Sequence, residues 1–455
     1  MNSKSPKEKK LNILIIVIDS LRNDQIFGES RTCVTPNIDE MISKGTYFSQ
    51  TISSADGTIL SLNGVLTGLF PFRTGTRAVK FNLEKNNFIQ QLVDFGYDIF
   101  GFGPSLTSFV PLSKYFQNEN SGYHAGPPAE PLSNELGNKI LKLLDNLPKN
   151  KPWLSFFHIE ELHSLREGTI PVGLGNFDDP KFGSTRYERI VSNIDFWIGK
   201  ILEKINLNDT LVIFTSDHGE RIPYKDIRDV EMEPHLEGLK NVGIKLLPNS
   251  FHKLGGKFLS KIRKPIGYVR QKNANKNLEP YQIRSRENYF TPSLFDELLL
   301  VPLIFYGYNT PKKIITQQVR NIDIFPTLFD LLNIKIRNKI DGQSLLPLFF
   351  DKKIDELPAY IQTIPLEKTK KFDKVGVRTN NYKFFVSAND LNSQMHLFDL
   401  KNDPHENNNI ASSSDELDKF KKILENFIQM KNPINSIDSL EHEKISSELK
   451  KLGYM

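Results

Sequence analysis

Two apolar segments of the chain end in residues that bind metals, and a threonine lies between them in the sequence. The first segment leads into Asp19, and the second leads into Asp217 and His218. A buried apolar run that ends in a carboxylate is typical of a central parallel strand, which delivers a ligand to the carboxyl edge of an α/β sheet. We therefore predict that Asp19, Asp217 and His218 bind a metal ion. The hydroxyl of Thr58 is the predicted attacking group, so the chain has the residues of a metal-dependent enzyme.

A divalent cation held by these residues would favour chemistry on an anionic substrate, of which phosphate and sulfate esters are examples. Phosphate and sulfate esters resist hydrolysis because their anionic oxygens repel nucleophiles, and a divalent cation offsets that repulsion and stabilises the charge that develops in the transition state. Carboxylate oxygens with one imidazole suit Mg²⁺, Ca²⁺ or Mn²⁺, and Zn²⁺ is a further alternative. We expect one divalent metal ion.

Strand-like and helix-like segments alternate along the first half of the chain. A helical apolar spacing at 187–207 leads directly into one of four strand-like runs, which lie at 12–18, 97–103, 153–159 and 210–215. This alternation predicts a doubly wound, mostly parallel central sheet flanked by helices. The expected organisation is a basic extension at 1–10, a catalytic domain at 11–350, a small C-terminal α+β subdomain at 351–430 and a polar tail at 431–455.

A basic insertion interrupts the catalytic domain at about 222–290. Between Gly238 and Arg286 the sequence has twelve basic residues and one acid, Glu279. Such a run attracts an anionic polymer or a membrane surface, and its apolar residues at helical spacing would suit peripheral membrane contact. The simpler interpretation, a solvated loop over the site, is favoured.

Composition excludes several other classes of protein. The net charge of +5 is too small to indicate nucleic acid as a partner, and the single cysteine, Cys33, excludes an internal disulfide framework. The apolar run before Asp19 is shorter than the roughly 20 residues of a membrane span, and it lacks a signal-peptide cleavage site. We therefore expect a cytoplasmic protein.

Several motifs, taken in chain order, resemble one enzyme family. They are Asp19-Ser20-Leu21-Arg22, Leu66-Thr67-Gly68, Phe214-Thr215-Ser216-Asp217-His218-Gly219-Glu220 and Asn321-Ile322-Asp323-Ile324-Phe325-Pro326-Thr327-Leu328. From about residue 11 to about residue 427 the chain is similar to the sulfatase family of the alkaline phosphatase superfamily. The resemblance implies that family's fold, a bound metal and the chemistry of phosphoric or sulfuric esters.

The resemblance also extends the set of expected site residues. In isolation a threonine at a helix start is more often an N-cap, but the place of Thr58 in the family pattern implies a nucleophile that also binds the metal. His163 resembles the family's substrate-contacting histidine, which implies either a general acid for the leaving group or a contact with an ester oxygen. Ser61, Arg22 and Arg73 are candidates for substrate binding. Ser61 could equally support a turn, and each arginine could equally pair with a carboxylate.

The sequence departs from the family pattern at the positions that handle sulfate. A typical sulfatase has a cysteine or serine that is converted to formylglycine, followed by a supporting arginine, and here those positions are Thr58 and Leu62. A lysine and a histidine after the next strand are replaced by Pro104 and Leu106. Threonine nucleophiles resemble the phosphoryl-transferring branches of the superfamily.

The favoured prediction is therefore a threonine-dependent hydrolase or transferase that acts on a phosphomonoester or phosphodiester. One alternative is a sulfatase that works without formylglycine. Another is a catalytically degenerate protein that binds an anionic glycan or lipid. The expected partner is a small anionic ester or an anionic glycan or lipid.

Overall fold

The computed structural model describes residues 11–28, 31–76, 80–124, 132–163, 174–222, 272–273, 275–276, 278–286, 293–365 and 373–430. The extension at 1–10, the tail at 431–455 and most of the basic insertion with its predicted membrane contact lie outside these residues. Within the described part of the chain, no helix is long and apolar enough to cross a membrane.

A nine-stranded, mostly parallel sheet forms the centre of the described structure. Its strands are β1 (Asn12–Ile18), β2 (Thr46–Ile52), β3 (Asp98–Pro104), β4 (Gly122–Tyr123), β5 (Trp153–Ile159), β6 (Thr210–Ser216), β7 (Leu300–Gly307), β8 (Lys313–Ile315) and β9 (Val319–Arg320). The order is β4-β3-β5-β1-β6-β7-β2-β8, with β9 paired to β2. Strand β7 runs antiparallel to both β6 and β2, whereas the other pairs in the sheet are parallel.

Helices cover both faces of this sheet. The described α-helices are α1 (Pro36–Lys44), α2 (Thr58–Thr67), α3 (Pro71–Thr74), α4 (Phe88–Asp94), α5 (Val110–Ser113), α6 (Gly137–Asp145), α7 (Arg186–Glu203), α8 (Pro280–Arg286), α9 (Asp296–Leu299), α10 (Ile324–Leu331), α11 (Leu346–Phe349) and α12 (Leu417–Gln429). Helices α1, α6 and α7 contribute to the core on one face, and α2, α4, α10 and α11 contribute to the core on the other.

The central strand β1 shows why the sheet must be covered twice. Ile13, Ile15 and Val17 pack on the α2 side, whereas Leu14 and Ile16 pack on the α7 side. All five side chains are fully buried. Alternate residues of a strand point to opposite faces, so an apolar side chain at every position requires a layer of helices on each side.

A smaller antiparallel sheet follows the central one. It consists of β10 (Ala359–Gln362), β11 (Lys374–Arg378), β12 (Tyr382–Ser387) and β13 (His396–Asp399), in that order. Helix α12 packs against it through Phe420 and Leu424. The predicted doubly wound sheet with a small C-terminal α+β subdomain is therefore confirmed.

Candidate active site

Three parallel strands end side by side at the centre of the sheet. Strand β1 lies between β5 and β6, and Ile18 pairs with Ile159 on one side and with Ser216 on the other. The carboxyl ends of the three strands therefore lie at one edge of the sheet. Asp19 and Asp217, which follow β1 and β6 directly, meet there as the sequence predicts for a parallel arrangement.

Asp217 is oriented by backbone amides, and one of its carboxylate oxygens remains directed at the site. Its Oδ1 accepts hydrogen bonds from the backbone N–H of Ser20 at 3.1 Å and of His218 at 2.8 Å. Its Oδ2 is buried and has no hydrogen-bond partner among the described residues. A buried carboxylate oxygen without a partner is costly, so Oδ2 is well placed to bind a cation.

The turn after β1 uses an unusual backbone conformation to build this arrangement. Ser20 has a φ of +63°, in the left-handed region that non-glycine residues seldom adopt. In this conformation its N–H reaches Asp217, and its hydroxyl donates to Asp19 Oδ1 at 2.6 Å. Such a conformation costs on the order of 1–3 kcal/mol and concentrates at functional sites. Ser20 thus holds the two aspartates in fixed relative positions.

Thr58 is the first residue of α2, and its hydroxyl lies between two of the predicted metal ligands. Its Oγ1 lies 3.2 Å from Asp19 Oδ2 and 3.3 Å from His218 Nε2. The side chain is only 4% exposed. Because the first backbone N–H groups of a helix have no partner within the helix, the start of α2 also favours an anionic substrate oxygen.

His218 presents a defined ring nitrogen to the cluster. Its Nδ1 lies 2.7 Å from the carbonyl oxygen of Gly219, which can only accept, so Nδ1 carries a proton and Nε2 faces Asp19 and Thr58. Burial lowers the pKa of His218, but the nearby carboxylates of Asp217 and Asp19 outweigh burial and raise it to about 9. The site therefore attracts positive charge strongly.

The electrostatics of Asp19 lead to the same conclusion. Burial raises its pKa, but the contact with His163 and the charges of the other two neighbouring histidines outweigh burial and hold the pKa well below its usual range. Asp19 is therefore ionised at neutral pH. His163 Nδ1 lies 3.6 Å from Asp19 Oδ1, which places the predicted general acid beside the cluster.

His158 also lies beside this cluster, although a histidine inside an apolar strand more often has a structural role. It pairs with Val17, and both side chains lie on the α2 face of the sheet, where the ring of Phe109 contacts His158. One donor atom each from Asp19, His158 and Asp217 lies within 4.8 Å of the other two. A histidine that interrupts the apolar run of β5 one residue before its end was the signal available in the sequence.

The donor set of this cluster fits a divalent metal ion. It contains two buried carboxylates, the Thr58 hydroxyl and the imidazoles of His158 and His218. Neither ring nitrogen of His158 has a hydrogen-bond partner among the described residues. Buried polar atoms of native proteins are normally paired, so these unpaired atoms are consistent with a ligand that the protein binds.

The remaining predicted site residues lie around the cluster rather than within it. Ser61 is fully buried, and its hydroxyl donates to the carbonyl oxygen of Asp217 at 2.5 Å. Arg22 donates through Nε to Asp24 at 2.9 Å and lines a separate cavity of about 460 Å³. Arg73 Nε lies 3.6 Å from Asp341 Oδ1. Their predicted substrate contacts stay predictions.

Family models match most of the chain. The model described as Sulfatase matches residues 11–334. A second model, described as N-sulphoglucosamine sulphohydrolase, C-terminal, matches residues 289–433.

Individual proteins show similarity in sequence and in fold. The chain is 26% identical over 174 residues to arylsulfatase K of Gallus gallus, which covers 36% of this chain and 32% of that protein. The chain therefore spans about a third of the length of that curated relative. The solved structure of a protein in complex with its substrate D-glucosamine-2-N,6-O-disulfate has a TM-score of 0.62 at 16% identity, covering 93% of this chain and 98% of that one. Phosphonate monoester hydrolase of Agrobacterium radiobacter has a TM-score of 0.62 at 15% identity, covering 92% and 95%.

Proposed function

Since this chain belongs to the sulfatase family, whose model matches residues 11–334, we propose that it is a metal-dependent phosphoester hydrolase with Thr58 as its nucleophile. The observation that carries the proposal is the position of Thr58 Oγ1, 3.2 Å from Asp19 Oδ2 and 3.3 Å from His218 Nε2. A hydroxyl that shares a site with metal ligands is the arrangement that activates a weak nucleophile.

The metal would be held by Asp19, Asp217, His218 and the hydroxyl of Thr58. When bound, a divalent cation supplies positive charge that lowers the pKa of a coordinated hydroxyl and stabilises charge on the substrate oxygens. Asp217 is held in position by the backbone N–H of Ser20 and of His218, so that it does not need to reorganise during the reaction.

The reaction would proceed in two displacements on phosphorus. Thr58 Oγ1 releases its proton to solvent and forms a bond to phosphorus, while the bond from phosphorus to the leaving alcohol breaks. His163, beside Asp19, donates a proton to the departing oxygen. A water molecule then attacks the phosphothreonine and gives a proton to the now neutral His163, while the bond from phosphorus to Thr58 breaks and the Thr58 oxygen takes up a proton from solvent. An acceptor alcohol in place of water would make the same intermediate serve a transferase.

The preference for phosphorus over sulfur follows from the residue at the nucleophile position. An unmodified threonine has no geminal diol, so it lacks the route by which formylglycine releases sulfate. A sulfate ester is nevertheless the second candidate, because the match to arylsulfatase K is a match to a protein named as a sulfatase. A sugar-borne ester is the favoured substrate class, since a structural neighbour was solved with D-glucosamine-2-N,6-O-disulfate.

A substrate panel with matched variants tests this proposal. Aryl phosphate, an aryl phosphodiester and aryl sulfate are assayed with Mn²⁺, Ca²⁺, Mg²⁺ and Zn²⁺, using the full chain, Thr58→Ala and Thr67→Ala. Thr67 lies at the other end of α2, where its hydroxyl donates to the carbonyl oxygen of Asn63 at 2.6 Å and accepts from the backbone N–H of Leu69 at 3.3 Å. It therefore controls for the loss of a buried threonine from the same helix.

We expect phosphoester turnover that falls at least about 1,000-fold in Thr58→Ala. Turnover in Thr67→Ala should stay within about tenfold of the parent. Mass spectrometry of the acid-quenched enzyme should show a phosphate adduct on the peptide that contains Thr58. Undiminished turnover in Thr58→Ala would remove the nucleophile assignment, and aryl sulfate turnover above that of both phosphoesters would overturn the preference for phosphorus.

A further inference from the structure

Building on the function proposed above, we propose that His158 is an additional metal ligand and that it makes the site select Zn²⁺ or a similar transition metal over Ca²⁺ and Mg²⁺. The inference concerns the buried histidine of β5, which no step of the proposed reaction uses. It names the class of ion that the site takes.

The first support is the spacing of the donor atoms. His158 Nε2 lies 3.8 Å from Asp19 Oδ2 and 3.6 Å from Asp217 Oδ2. In a zinc site of four or five ligands with bonds of about 2.0–2.1 Å, neighbouring ligand atoms lie about 2.9–3.5 Å apart. The observed separations are thus within a few tenths of an ångström of those that a shared cation requires. They are too long for direct hydrogen bonds between the side chains.

The second support is that His158 completes a closed ring of donors. Asp217 Oδ2 lies 3.6 Å from His218 Nε2, which lies 3.3 Å from Thr58 Oγ1. Thr58 Oγ1 in turn lies 3.2 Å from Asp19 Oδ2. When the two distances from His158 are added, the five donor atoms form a ring in which each atom has a neighbour on both sides. His158 thus lies between the two aspartates, whose own donor atoms are within 4.8 Å of each other.

The third support is the hydrogen bonding of the ring nitrogens within the part of the chain that the structure describes. His158 is fully buried, and neither Nδ1 nor Nε2 has a hydrogen-bond partner among the described residues. Leaving a buried donor or acceptor unpaired costs about 1–3 kcal/mol. A histidine with a purely structural role in β5 would be expected to have at least one such partner, and a bound cation would supply it.

The surroundings of the ring orient Nε2 toward the cluster. The ring of Phe109 packs against His158 with centroids 5.2 Å apart. On the other side of the imidazole, Nδ1 lies 4.0 Å from Glu160 Oε1. Metal-binding histidines commonly direct their second ring nitrogen at a carboxylate, which fixes the tautomer and makes the ligand more basic. Glu160 is placed for that positioning role.

Ion selectivity follows from the composition of the completed set. Ca²⁺ and Mg²⁺ prefer ligand sets made of oxygen atoms. Two imidazoles with two carboxylates are instead suited to Zn²⁺ and related transition metals. With His158 included, the site has two imidazole ligands and two carboxylate ligands, so it should bind transition metals more tightly than Ca²⁺ or Mg²⁺.

Metal binding to the chelator-stripped full chain tests the proposal without reliance on turnover. Affinities for Zn²⁺, Ca²⁺ and Mg²⁺ are measured by competition with chromophoric chelators for the parent, His158→Ala, Glu160→Gln and the control His396→Ala. His396 belongs to β13 of the small sheet, where its ring stacks on Phe385. It therefore controls for the loss of a partly buried imidazole elsewhere.

We expect the parent to prefer Zn²⁺ over Ca²⁺ by at least about 1,000-fold. Zn²⁺ affinity should fall by more than about 100-fold in His158→Ala and by about tenfold in Glu160→Gln, with no change in His396→Ala. X-ray absorption of the Co²⁺-loaded proteins should count two imidazoles per ion in the parent and one in His158→Ala. The number of imidazoles bound in the parent can be measured even if His158→Ala does not fold.

Equal Zn²⁺ affinity in the parent and His158→Ala, or one imidazole per ion in the parent, would overturn the proposal. These outcomes are separate from the fate of the proposed function. If the protein hydrolyses an ester but its metal affinity does not depend on His158, the assignment of His158 as a ligand is wrong and the proposed function stands. If Zn²⁺ binds tightly and depends on His158 but no ester is hydrolysed, His158 is a ligand and the proposed function is wrong.

Discussion

The hydroxyl of Ser61 offers a direct measure of how the chain supports Asp217 from behind. It donates to the carbonyl oxygen of Asp217 at 2.5 Å and accepts from the side-chain amide of Asn321 at 2.8 Å. Ser53 also donates to the same carbonyl oxygen at 2.6 Å. Replacing Ser61 with alanine therefore leaves the Asp217 carbonyl with one partner but removes the acceptor of the Asn321 amide.

The expected cost follows from that orphaned donor. Asn321 is fully buried, so water cannot replace the lost acceptor. An unpaired buried donor costs about 1–3 kcal/mol, and we expect the free energy of unfolding to fall by about 2 kcal/mol in Ser61→Ala. For a chain of this length, that change lowers the thermal midpoint by about 2 °C.

Thermal unfolding followed by circular dichroism checks this value against Ser155→Ala. Ser155 is also fully buried, but its hydroxyl has no hydrogen-bond partner among the described residues. Its removal should leave the midpoint unchanged or raise it slightly, because the variant loses only an unpaired polar group. A midpoint for Ser61→Ala equal to that of Ser155→Ala would refute the reasoning. A rise in KM with an unchanged midpoint would instead support the predicted substrate contact of Ser61.

Three further predictions concern His396 of the small sheet, the buried ion pairs of Lys383 and the metal. Burial lowers the pKa of His396 to about 4, so the folded state binds a proton at His396 less readily than the unfolded state does. The free energy of unfolding should therefore be highest above about pH 6.5 and fall as the pH drops toward 4. Urea unfolding across this range should show a smaller fall for His396→Phe than for the parent. Lys383 is fully buried and paired with Asp296 and Glu406. Because Lys383→Met leaves both carboxylates without that partner, it should lower the free energy of unfolding by about 3–5 kcal/mol. The exposed control Lys401→Met should not change it, and equal urea midpoints for the two variants would contradict this prediction. Chelation of the divalent metal should abolish ester hydrolysis and lower the thermal midpoint, since the ion binds the folded state, and an unchanged midpoint after verified metal removal would argue against a site in the folded protein.

Much of the central site was readable from the sequence because its residues follow strands directly. Asp19 and Asp217 come immediately after apolar runs, and parallel strands bring such positions to one edge of a sheet. The family pattern indicated Thr58 as the nucleophile, a role that stays a prediction, and the structure places its hydroxyl between two predicted ligands. Local pattern and strand direction therefore sufficed to predict that the two aspartates lie close together.

His158 shows where local pattern was insufficient. Its position inside β5 indicated a buried strand residue, and that is also what the structure shows. Its proximity to the aspartates depends on the pairing of β5 with β1 and on the face that its side chain shares with Val17. Strand order and register are set by contacts between segments far apart in sequence, so no local motif reports them.

Arg22 also shows that a local motif does not report where a side chain lies in the folded protein. Arg22 lies three residues beyond Asp19, yet its side chain bonds Asp24 and lines a different cavity. The charge and the distance along the chain were visible in the sequence, but the direction of a long, flexible side chain depends on which partners the folded chain places around it.

By itself, the sequence determined the class of fold, the family and the chemical types of the site: two acidic strand ends, a threonine at the position of the nucleophile and a histidine beside the second acid. Only the tertiary structure decided that β5 lies next to β1, so that His158 faces the same cluster and Ser61 supports Asp217 from behind. The physical reason is that residue types and periodicity act over a few residues, whereas a site is assembled from donor atoms that approach within 4 Å only after distant segments have packed together.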